Sequence, residues 1–89
     1  MDTREIFEDL VALLEQDGVD VRRQAMGGGG GFCRIKGKGV FFVDTECSIL
    51  EMTAICSRAV NELIDIESIY LRPQVRLYLE KYSDTPSFP

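Results

Sequence analysis

Three stretches of the chain repeat their apolar residues at helical spacing, and two shorter ones alternate with period two. In residues 2–17, Ile6, Phe7, Leu10, Val11, Leu13 and Leu14 form one broad apolar face, the signature of an amphipathic helix. Asp2 stands three residues before Glu5, the spacing of a capping box, and Gly18 suits the left-handed position that ends a helix. Val19 and Val21 then alternate with Asp20 and Arg22, which predicts a short strand running to about Gln24. A run of five glycines, residues 27–31, cannot hold regular structure at reasonable entropic cost and reads as a mobile loop.

A hairpin follows. Residues 32–35 and 40–43 are apolar-rich and joined by Lys36-Gly37-Lys38-Gly39, which pairs Ile35 with Val40 and Cys33 with Phe42. Period two places Cys33, Ile35, Val40 and Phe42 on one wholly apolar face, expected to be core. The opposite face carries Phe32, Phe41 and Val43 together with Arg34 and is expected to be half covered. Ser48, with Glu51 three residues on, opens a second helix whose stripe runs Ile49, Met52, Cys56, Ala59, Leu63 and Ile66. Ile69, Tyr70 and Leu71 suggest a short edge strand. Pro73 fits the first position of a third helix with Val75, Tyr78, Leu79 and Tyr82 on its apolar side. Residues 83–89 have no periodicity and read as a flexible tail after a single domain of residues 1–82. The predicted fold is α+β: a small antiparallel sheet of about three strands with helices on one face, in the order α-β-β-β-α-(β)-α.

Charge changes this picture in one place. The chain has 89 residues and a net charge of −5, yet residues 21–43 contain no acid and hold five of its ten positive side chains: Arg22, Arg23, Arg34, Lys36 and Lys38. The rest of the molecule therefore carries −10. A basic, glycine-hinged segment on an acidic body is the feature that points to a ligand or partner. A sequence pI near 4.6 argues against general nucleic-acid binding. No apolar run approaches the roughly 20 residues of a membrane span, and Met1-Asp2-Thr3-Arg4-Glu5 does not read as a signal peptide. Three widely spaced cysteines with no C-x-x-C fit reduced thiols in a cytoplasmic protein.

Candidate chemistry is sparse. Without histidine the chain cannot build a Ser-His-Asp or Cys-His site or a His-ligated zinc centre, and no metal or cofactor is expected. The glycine run lacks the strand–helix context of a dinucleotide motif, and Gly37-Lys38-Gly39 lacks the hydroxyl residue of a phosphate loop. Glu51, Glu62, Asp65 and Glu67 lie along one helix and its exit, as expected of an acidic chain without a substrate cleft. Cys33 and Cys56 read as packing residues. Cys47 begins a helix, but Asp44 and Glu46 beside it oppose thiolate formation.

From the glycine segment through Cys33-Arg34-Ile35-Lys36-Gly37-Lys38 to Ile69-Tyr70-Leu71-Arg72-Pro73 and Val75-Arg76, the chain resembles small uncharacterised bacterial proteins with no established activity. Its hairpin and Ser48-capped helix are also similar to the core of ImmA/IrrE-type zincin metallopeptidases. That resemblance places Arg58-Ala59-Val60-Asn61-Glu62 near the metal motif, where neither histidine is matched, and implies a recognition or scaffold role without zinc chemistry.

The sequence thus predicts a non-enzymatic, cytoplasmic, self-associating interaction domain, a homodimer with Phe32, Phe41 and Val43 at the contact. The alternative is a module that binds an anionic small molecule or acidic partner at Arg22, Arg23, Gly28, Gly29, Gly30, Arg34 and Lys36. The alternative requires those basic side chains to converge; the first requires only exposed apolar ones.

Overall fold

The structure, a computed structural model, describes residues 2–82; the tail expected at 83–89 lies outside them. Helix α1 spans Thr3–Gln16, strands β1, β2 and β3 span Asp20–Gln24, Gly31–Ile35 and Lys38–Asp44, and helices α2 and α3 span Ile49–Leu63 and Pro73–Lys81. The class is α+β, as the sequence predicts.

Local chemistry sets the element ends. Asp2 accepts the Glu5 N–H at 2.9 Å while Glu5 accepts the Asp2 N–H at 3.2 Å, a closed capping box. Gly18 takes φ +92° after α1. Ser48 Oγ accepts the Glu51 N–H at 3.1 Å to open α2, and Pro73 occupies the first turn of α3. Ile69, Tyr70 and Leu71 form no strand. A 3-10 turn at Ile66–Ser68 precedes them, Leu71 drops into the core and Tyr70 stays 84% exposed.

The sheet is mixed rather than antiparallel throughout, with order β1-β3-β2. β2 pairs antiparallel with β3, but β1 pairs parallel with it, Val21 opposite Phe41 and Gln24 opposite Asp44. β1 and β2 therefore stand on opposite sides of β3, two strand spacings or about 10 Å apart. Residues 25–30 must cross that gap over the end of β3. A run of apolar residues says that strands pair; it does not say which strand takes the centre. β3 takes it because it holds the densest apolar run.

The hairpin register also differs from the expected one by two residues. Ile35 pairs with Lys38 and Cys33 with Val40. Lys36 at φ +52° and Gly37 at φ +82° make a two-residue turn with both central residues left-handed, which matches the strand twist. A shift of two leaves each side chain on its face.

Which face the helices cover is the reverse of the expectation. Val21, Phe41 and Phe32 form one cross-strand row directed at α1 and α2. Phe41 is wholly buried and Val43 nearly so, packed with Phe7, Leu10, Leu14, Met52, Cys56, Val60, Val75 and Leu79 in one core. Phe32 lies over Gly39, its ring 3.0 Å from where a Cβ there would sit. Among the described residues no element packs on the other face, where Cys33 is exposed, Ile35 is 42% exposed and Phe42 is half-buried. Val40 is buried yet stands outside the core cluster. Purity of apolar composition did not select the core face; the residues able to reach the helices did. Arg34, which made that face look mixed, and Arg23 sit at its two outer strands and extend past the rings of Phe32 and Phe7, at 5.6 and 5.8 Å, so their charges stay in water.

Phe41 is thus a core residue and cannot also be an interface residue. Phe41→Ala should destabilise the fold by about 3–5 kcal/mol, whereas Cys33→Ala on the open face should change it by less than about 0.5 kcal/mol. Denaturant unfolding of the two variants checks the assignment; equal effects would reverse it.

Candidate functional site

The crossing loop is held by one buried carboxylate. Asp44 ends β3 and is 1% exposed. Its Oδ1 accepts the Met26 N–H at 3.0 Å and the Glu46 N–H at 2.9 Å. Its Oδ2 accepts the Gly28 N–H and, at 3.5 Å, the Cys47 thiol. The backbone donors of Glu46, Met26 and Gly28 hold its carboxyl below the usual carboxylate range despite burial. The glycines have specific work here. Gly27 and Gly28 take φ +64° and +99°, and a Cβ on Gly30 would lie 3.0 Å from the Phe42 carbonyl oxygen and 3.1 Å from Met52 Sδ. The expected mobile loop is therefore anchored at Met26, Gly28 and Gly30. Its backbone donors do form an anion-binding concavity, but the anion is the chain's own Asp44.

The basic side chains do not converge. Arg22 projects on the open face and pairs with Asp20 at 2.9 Å. Arg23 projects on the helix face and forms a fork with Glu8, at 2.8 and 3.1 Å, which lowers the Glu8 carboxyl. Arg34 is on the far strand, stacked on Phe32. Lys36 sits at the hairpin turn, at the end of the sheet opposite Gly28, Gly29 and Gly30, and Lys38 Nζ lies 3.5 Å from the Gly18 carbonyl. A phosphate bound at the glycine loop would meet Asp44 and find none of Arg22, Arg34 or Lys36 beside it.

The remaining concavities carry no reactive set. A shallow cleft of about 700 Å³ lies between the end of α2 and Tyr82, lined by Arg58, Asn61, Glu62, Ile64, Asp65 and Ile66. A pocket of about 150 Å³ beside Asp44 is lined by Arg4, Phe7, Arg23, Thr45 and Cys47 among others. The Cys47 thiol there is pushed up by burial and by the Asp44 carboxylate it donates to. Cys56 in the core is pushed up to about 12 by burial. Among the described residues no three His, Cys, Asp or Glu side chains gather to hold a metal ion, and no helix is long and apolar enough to cross a membrane. No protein-family model, curated protein or solved structure matches the chain.

What the site does contain is exposed strand. β1 presents Asp20, Arg22, Arg23 and Gln24 at its edge, charges that discourage pairing. β2 carries one charge, Arg34, between Cys33 and Ile35, and all three are exposed. The sequence reading missed this edge because it assigned Cys33 and Ile35 to the core.

Two outcomes follow from this chemistry. Asp44→Asn should destabilise the protein at neutral pH and speed amide exchange at Met26 and Gly28. A carboxyl lowered on folding stabilises above its unfolded pKa of about 3.9 and loses that contribution as pH falls through its folded value. The gap between wild type and Asp44→Asn should therefore close below about pH 4, and equal stability from pH 7 to pH 3 would contradict the assignment. Thiol alkylation followed by mass spectrometry on dilute native protein should modify Cys33 first, Cys47 later and Cys56 only on unfolding; prior labelling of Cys47 would refute the thiol environment described.

Proposed function

We propose that the protein is a non-enzymatic interaction domain that works by self-association through its exposed sheet. One observation carries this reading: α1 and α2 lie against one face of the sheet with α3 packed on them, so that among the described residues no element covers the face of Cys33, Ile35 and Phe42 or the β2 edge beside it. Unpaired strand edges and contiguous apolar surface are the features by which folded chains recruit another chain. Three free thiols suit a reducing, cytoplasmic setting.

The contact differs from the one expected from sequence. Phe41 and Val43 belong to the core, and Phe32 is half-buried over Gly39. The anionic-ligand alternative has no comparable support, since the loop donors face Asp44 and Arg22 and Arg23 have carboxylate partners. Light scattering or sedimentation at high micromolar concentration should give twice the monomer mass. Ile35→Lys, which alters a side chain 42% exposed in the isolated chain, should reduce association without lowering unfolding stability by more than about 0.5 kcal/mol. A monomer mass at that concentration rejects the proposal.

A further inference from the structure

Resting on that self-association reading, we infer that two copies join β2 to β2 across a twofold axis at Cys33, forming one six-stranded sheet. The argument begins with the hairpin turn. A two-residue turn places its hydrogen bond between the residues flanking it, so Ile35 and Lys38 form a hydrogen-bonded pair. Antiparallel pairs alternate, which makes Cys33–Val40 and Gly31–Phe42 hydrogen-bonded and leaves the N–H and C=O groups of Phe32 and Arg34 directed away from β3. Those two residues flank Cys33, the middle of a five-residue strand. A twofold axis there sets Phe32 of each copy opposite Arg34 of the other. Each such pair uses both residues' outward groups, and Cys33 faces Cys33 in the non-hydrogen-bonded position between them. An axis midway between two residues would set outward groups opposite inward ones and satisfy none, and an axis at Phe32 or Arg34 would keep the alternation but carry part of the pairing past the ends of the strand. Only the axis at Cys33, the centre of the strand, pairs all five of its residues within the strand.

The side chains agree with the backbone. Arg34 already lies over the Phe32 ring of its own chain and meets that of the other copy in the cross-strand position. Further along, Lys36 at the hairpin tip arrives beside Gly30 of the other copy. Gly30 lies beside α2: Met52 Sδ and Ile55 Cγ2 are 3.1 and 4.0 Å from the positions that Cβ atoms on Gly30 and Gly31 would take. Glu51, one turn before Ile55, stands on that flank, exposed and in no ion pair among the described residues. Lys36 is likewise exposed and has no carboxylate partner among the described residues. The acid-free hairpin of one copy thus meets the acidic start of α2 in the other. The open faces join as well, and Cys33, Ile35 and Phe42 of both copies form one continuous strip.

The register can be read chemically. Cys33 residues facing each other in a non-hydrogen-bonded pair have Cα atoms about 4.5 Å apart, within the range of about 4.4–6.8 Å that a disulfide spans. Diamide should therefore link the dimer, the two thiols giving up two protons and two electrons to the reagent as the S–S bond forms. Peptide mapping should place the link at Cys33–Cys33. In a Cys33→Ser background, Ile35→Cys should link at least about tenfold more slowly, because each Ile35 faces Gly31 and not its own counterpart. Arg34→Pro removes an outward N–H that β3 does not use, and should weaken dimerisation at least about tenfold with the monomer still folded. Cys33→Lys sets two ammonium groups face to face and should do the same. A dimer by light scattering that links through Ile35→Cys as fast as through Cys33, or that survives both Arg34→Pro and Cys33→Lys, overturns this register while leaving self-association intact. A monomer at high micromolar concentration overturns both.

Discussion

The carboxylate of Asp44 is the constraint on which the rest of the architecture depends. A strand order of β1-β3-β2 obliges residues 25–30 to pass over the end of the central strand, where their backbone donors leave water without a ladder to join. Asp44, at the tip of that strand, supplies the acceptors. It binds the Met26 and Gly28 N–H groups on one side and the Glu46 N–H and Cys47 thiol on the other, so one side chain ties the crossing loop to the turn that starts α2. A buried carboxylate costs free energy unless its lone pairs are occupied. Here three backbone donors and a thiol occupy them, and they hold the loop that the parallel placement of β1 requires.

That topology also decides what the glycines are for. A glycine run beside arginines invites a phosphate, yet Gly27, Gly28 and Gly31 take positive φ and Gly30 provides close approach to Phe42 and Met52. The loop is an internal anion clamp. The positive charges near it in sequence are turned to other partners or other elements: Arg22 answers Asp20, Arg23 answers Glu8, Arg34 is left on the exposed strand β2 and Lys36 at the hairpin turn beyond it.

The two sheet faces then have different destinies. The helix layer is wide enough to cover one face of three strands, and the Phe41 row receives it. Among the described residues the other face and the β2 edge remain open, which is the physical basis for reading the molecule as a domain that recruits another chain. Tyr70, Leu77 and Leu50 are also exposed apolar residues, and scattered single residues of this kind are ordinary on small domains.

The order of elements, the caps at Asp2 and Ser48, the glycine stop at Gly18 and the proline start of α3 were all legible in the sequence, because each depends on residues within one turn or one hairpin. The alternation along the hairpin was legible too, and so was the thiol environment of Cys47, since Asp44 and Glu46 are its near neighbours. Three matters were decided only in three dimensions. Central placement of β3 required comparing all strands at once. Assignment of the core face turned on which side the helices could reach, and the cleaner apolar pattern of Cys33, Ile35, Val40 and Phe42 gave no information about that. The fate of the basic segment depended on Glu8, fifteen residues from Arg23, and on Asp44, eighteen residues from Met26. Period-two alternation separates two faces but is silent on which one meets a helix, and charge counting locates a surplus but not its partners.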